Sequence, residues 1–166
     1  MRRCLAPLLV LFSCATAAQS LPGSQVQYLL SEISGSSAQQ LTLADGTAWQ
    51  LNAPRALTRG STILISSRNL NTGAEAQSGG FSFSVSLQNG ALKPEKGSRL
   101  TLLAQHQDGK RLLLSEQLQA MVVDSDRILS RHFQGSQPVL VSEDGKQLIY
   151  LPTLTPVRIK LLSAAN

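Results

Sequence analysis

Four dipeptides that place glycine after Asp or Asn recur along the chain: Asp45-Gly46, Asn89-Gly90, Asp108-Gly109 and Asp144-Gly145. Asp and Asn tolerate positive φ, and glycine adopts it without a Cβ penalty, which is what a two-residue type I′ hairpin asks of its central residues. Four such signals argue for a mostly antiparallel β fold. The flanking segments agree. "LTL" enters Asp45-Gly46 and "TAWQL" leaves it, with Leu41, Leu43, Trp49 and Leu51 at alternating positions. "STILISS", "GFSFSVSLQ", "SRLTLLAQ", "KRLLLS", "PVLVSE" and "KQLIYLP" are equally short and bounded by turn residues. In "FSFSVSL", Phe81, Phe83, Val85 and Leu87 fall on one face and serines on the other, which describes a strand with one wet side. The expected fold class is all-β: an antiparallel β-sandwich or partly open barrel built from hairpins, with at most one or two short helices.

Two segments admit helix as well as strand. "SQVQYLLSEISG" places Val26, Leu29, Leu30 and Ile33 at helical spacing behind Ser24, yet "VQYLLSEIS" also reads as a strand leading into the next hairpin, the reading we adopt. In "SEQLQAMVVDSDRILSRHF", a short helix is expected near Asp126 to Phe133, capped by Asp124 or Ser125. The polar stretch from Ser66 to Gly80 has no periodicity and contains Gly73, Gly79 and Gly80, so it is expected to be a mobile loop or a linker. Residues 19–166 are therefore expected to form a single β domain; the alternative is two β subunits, 25–66 and 81–162, joined by a flexible loop 67–80. The turn signals recur without matching flanks, and no internal repeat is read from them.

Residues 1–18 have the parts of a cleaved signal peptide: Arg2 and Arg3, the apolar run "CLAPLLVLF" and the small-residue stretch "SCATAA". The expected product is exported, periplasmic or secreted, and begins after Ala17 or Ala18. "LFSC" overlaps a bacterial lipoprotein signal, so the alternative is a chain lipid-anchored to the membrane through Cys14. Cys4 and Cys14 both lie in the leader, leaving a mature chain of about 148 residues that must be held together by its core, without disulfides. Loss of Arg2 and Arg3 lowers the formal charge from +5 to +3, a mild bias that does not suggest nucleic acid. No later segment is apolar enough for a transmembrane helix.

Chemistry is sparse. His106 and His132 stand in separate segments without acidic or thiol neighbours at metal-ligand spacing. "DSD", Asp124 to Asp126, lacks the oxygen ligands and glycine that would continue a calcium loop. No serine lies in a nucleophile elbow, and "GKQL" is not a phosphate loop. No catalytic residue, metal or cofactor is assigned. The candidate contact residues are Trp49, whose more economical role is in the core, and Lys93, Lys96 and Arg99, the nearest approach to a basic cluster. The expected function is that of an exported, non-catalytic β-domain accessory protein binding another envelope or secreted protein, by edge pairing or a broad polar surface. The alternatives are a polysaccharide- or lipid-binding module and an enzyme with an unfamiliar site using His106 or His132.

Overall fold

The computed structural model describes residues 21–162; the expectations for the leader, its cleavage and Cys14 lie outside them. Twelve strands alternate with tight turns. The first six are β1 (Ser24–Ser36), β2 (Gln40–Leu43), β3 (Ala48–Leu51), β4 (Thr62–Ser67), β5 (Ala74–Ser78) and β6 (Phe81–Asn89). After residues 90–94 come β7 (Glu95–His106), β8 (Arg111–Leu114) and β9 (Gln119–Val122). A 3-10 turn (Asp124–Asp126) then runs into the one-turn helix α1 (Arg127–Ser130), followed by β10 (Gln137–Ser142), β11 (Gln147–Tyr150) and β12 (Thr155–Leu162).

All pairings are antiparallel, and they close twice. β1-β2-β3-β6-β5-β4 returns to β1, and β7-β8-β9-β12-β11-β10 returns to β7. The fold class is thus all-β as expected, with closed barrels instead of a sandwich or an open one. Both six-strand rings have the same order, and in both the pairing of the first two strands is broken by a bulge, between Ile33 and Gly35 and between Leu102 and Ala104. Matching the ladders makes Gln27 of the first ring equivalent to Lys96 of the second. These two residues are paired with each other where β1 meets β7, so a pseudo-two-fold axis passes between them. The chain is an internal duplication in topology that its sequence does not display.

Each ring has its own core, because inward and outward residues alternate along every strand. Trp49, Leu41, Ile63 and Ile65 fill the first ring. Leu102, Leu112, Val141 and Leu148 fill the second, with Phe133 stacked on Tyr150 at 4.3 Å. A third cluster lies between the rings, where Leu64 of β4 meets Tyr28, Leu140 and Ile149. The Tyr28 hydroxyl donates to the Glu95 carboxylate, and burial first, then that bond, holds the phenol protonated far above its usual range.

Several expectations need correction. Ser24–Ser36 is strand, as preferred, but the stretch 67–80 is not a linker: β5 lies in it, paired on both sides, and the rings are joined through 90–94. Of the four turn signals, only Asp108-Gly109 has positive φ at both residues, 55° and 82°. Asp45-Gly46 and Asp144-Gly145 instead form tight turns in which only the glycine is left-handed, with Gly46 and Gly145 N–H groups donating to Leu43 and Ser142 carbonyls. Asn89-Gly90 ends β6 and starts the connection between rings, so it closes no hairpin. Among the described residues every strand of each ring is hydrogen-bonded to two neighbours, so no whole strand is left as a free edge for edge pairing.

The predicted helix is shorter than expected, and neither it nor the 3-10 turn is capped by a side chain. Arg158 claims the carboxylate instead: its backbone N–H donates to Asp126 at 2.8 Å, its Nε at 3.0 Å and its Nη2 at 2.8 Å. These bonds hold the Asp126 carboxyl well below the usual range. A depressed carboxyl contributes stability above its unfolded pKa of about 4 and loses it as pH falls through the lower folded value. Asp126→Asn should therefore melt below the wild type at pH 7, and the gap should narrow as the pH is lowered towards 2. Melting curves across that range check it; a gap independent of pH would contradict the ion-pair account.

Candidate functional site

The clearest unsatisfied surface lies at the mouth of the first ring. β6 runs past the end of the barrel, so its inward face, which buries Val85 and packs Phe83 against the core, continues to a Phe81 that lies beyond the core and largely in solvent. Phe81 is 64% exposed. The loop 52–61 folds across the same mouth, anchored by Leu57 against the core and by the Ser36 hydroxyl, which donates to the Leu57 carbonyl at 2.9 Å. It brings Arg55 over both rings, 5.0 Å from the Phe83 centroid and 5.6 Å from that of Phe81. Between the loop and the β5–β6 turn is a depression of about 200 Å³ lined by Arg55, Leu57, Ser78 and Phe81. Among the described residues, neither Arg55 nor Arg59 is paired with a carboxylate.

On the outer wall of the same ring, β4, β5 and β6 form a shallow serine-rich hollow of about 630 Å³, lined by Ser66, Glu75, Ser82 and Ser84. Arg99 reaches it from β7: its Nη2 donates to the Ser66 hydroxyl at 2.6 Å and lies 3.9 Å from Glu75. Among the described residues no group of His, Cys, Asp and Glu could hold a metal ion.

The chain matches no known family, curated protein or solved structure.

The structure separates the four candidate contact residues. Trp49 is 0% exposed inside the first ring, its indole N–H donating to the Thr47 hydroxyl at 2.9 Å, so it offers nothing to a partner. Lys93 lies exposed in the inter-ring connection. Lys96 and Arg99 are three apart on β7, an odd spacing that sends their side chains to opposite faces of the strand, so no basic cluster forms. Reading the sequence for function missed Arg55, and it placed Phe81 only as one more inward strand residue. The signal was present in the two adjacent glycines, Gly79 and Gly80, which form the β5–β6 turn immediately before Phe81 and leave it at the barrel's rim.

Proposed function

We propose that this chain is an exported, non-catalytic accessory protein of an envelope or secreted system, and that it binds a partner protein through the mouth of its first ring. The observation that carries the reading is Phe81, a large aromatic exposed beside Phe83 and Arg55 in a pre-formed rim. Aromatic residues and arginine dominate protein–protein hot spots because they desolvate a large area at little conformational cost. An unpaired Arg55 and Arg59 select for a partner segment bearing a carboxylate. No helix among the described residues is long and apolar enough to cross a membrane.

The test is partner recovery from the native host by cross-linking, with wild type and Phe81→Ala compared. Phe81→Ala should lower partner affinity at least about 30-fold, the loss of a hot spot worth roughly 2 kcal/mol or more. Its melting temperature should stay close to that of the wild type, because the side chain is mostly in solvent. Equal recovery by both proteins would refute the assignment of this surface.

A further inference from the structure

The internal duplication supplies its own control for reading surfaces, since each wall of one ring has an equivalent wall in the other. In the first ring, the outward row across β2, β3 and β6 is Gln40, Gln50 and Ser86. It is neutral, and the Gln88 amide knits it together by accepting from Gln40 and donating to Gln50. At the equivalent positions of the second ring stand Arg111, Met121 and Lys160, and the row continues onto β7 with His106. The amide ladder is replaced by exposed cations around a half-buried Met121.

The mouth of the second ring borders this row and strengthens it. α1 is fastened across the β7–β8 turn by the buried Ser130 hydroxyl, which donates to the Gly109 carbonyl at 2.8 Å. Gly109 is required there, because a Cβ would lie 2.4 Å from the Arg131 nitrogen. So held, the helix turns Ile128 and Leu129 outward, 61% and 44% exposed, with Val123 exposed beside it. Six cations stand on the segments that build this end of the ring: Lys110 just before β8 and Arg111 at its start, Arg127 and Arg131 in and just after α1, and Arg158 and Lys160 on β12. Three carboxylates oppose them; Asp126 is taken by Arg158 and Asp108 lies 3.8 Å from Arg127, while Asp124 is unpaired. This end of the ring therefore carries more cations than carboxylates beside an exposed apolar tip.

We propose that this end of the second ring is a docking surface for an anionic lipid bilayer. Ile128, Leu129 and Val123 enter the headgroup boundary, while Arg111, Lys160 and their neighbours lie against anionic headgroups, their aliphatic stems reaching along the interface. Apolar tips rimmed by cations complement a surface that is apolar within and negative outside. A sugar polymer would call for exposed aromatic platforms, and the two aromatics at this end, Phe133 and Tyr150, are buried against each other. The surface is separate from the rim around Phe81, so the inference does not depend on the protein partner proposed above.

Vesicle co-sedimentation tests it, using the chain with Cys14→Ser so that no acyl anchor can form, and comparing variants so that any contribution of the leader cancels. Binding is expected to vesicles containing about one third phosphatidylglycerol and to be weakened by salt, with little binding to pure phosphatidylcholine. Replacing Arg111 and Lys160 together by serine should weaken partitioning roughly 30-fold, at about fivefold per cation. Replacing Ile128 and Leu129 by serine leaves every charge in place and should weaken it by at least about tenfold. Both pairs are surface positions, and an unchanged melting temperature confirms that the fold is intact. The proposal is overturned if anionic vesicles are not bound or if neutral vesicles are bound equally. It is also overturned if binding survives the Ile128 and Leu129 changes and is competed equally by dextran sulfate or an acidic protein, which would make the surface a general polyanion site.

Discussion

Trp49→Ala is expected to be among the most damaging single changes the first ring can suffer. Trp49 is fully buried, and it is the largest side chain in its core. Truncating a buried tryptophan removes its transfer free energy and leaves a cavity that a closed ring cannot collapse into, a cost of about 3–5 kcal/mol. It also deprives the buried Thr47 hydroxyl of its indole donor. That hydroxyl donates onward to Asp45 at 2.8 Å, so the β2–β3 turn is affected as well. For a chain of this size the melting temperature should fall by on the order of 10–20 °C. Trp49→Phe, which keeps most of the volume and loses the hydrogen bond, should cost considerably less. Thermal melts followed by far-UV circular dichroism decide the matter, and a fall of only a degree or two for Trp49→Ala would show that the ring adapts around the void.

The same residue explains why the duplication is invisible in the sequence. The position equivalent to Trp49 in the second ring is Ala120, and the volume lost there reappears elsewhere. Opposite Trp49's ring the inward positions of β5 are the small Ala76 and Ser78; their equivalents on β11 are Leu148 and Tyr150. The two interiors are filled by different distributions of bulk, which packing permits and sequence comparison penalises. Alternation and turn chemistry were legible because they are local: strict period two identified β6, and the glycine turns at 45–46, 108–109 and 144–145 marked three hairpins. Ring closure was not legible, since it depends on β4 returning to β1 and β10 to β7. β5 was missed because "AEAQS" has the composition of a loop; it is a strand because β4 and β6 present open edges on either side of it. The candidate contact surface was missed for a related reason. Arg55 and Phe81 are 26 residues apart, and only closure of the ring brings the loop 52–61 over the end of β6.

Gly97→Ala should destabilise the chain by about 1–3 kcal/mol, although it adds a single carbon. Gly97 lies in β7 next to the pseudo-two-fold axis, paired with Val26 on one side and Ser142 on the other. An added Cβ would lie 2.5 Å from the Val141 carbonyl oxygen and 3.2 Å from Cε1 of Tyr28, the residue that occupies the equivalent place in the other ring. A large residue and a vacant one thus meet where perfect symmetry would bring two like residues together. The tyrosine contact is with a side chain and can yield, but the carbonyl belongs to β10, whose ladder with β7 closes the second ring. Relief requires β10 to shift and the ring to loosen, and overpacking of this kind costs about 1–3 kcal/mol or more. Tyr28→Ala should therefore fail to rescue Gly97→Ala, because it clears only the softer of the two contacts. The chain's single tryptophan adds a second readout. Trp49 fluorescence reports the first ring alone, whereas circular dichroism reports both. Because β1 pairs with β7 and the Leu64–Tyr28–Leu140 cluster is shared, both transitions should move down together in Gly97→Ala. A shift in circular dichroism with tryptophan fluorescence unmoved would show instead that the first ring stands without the second.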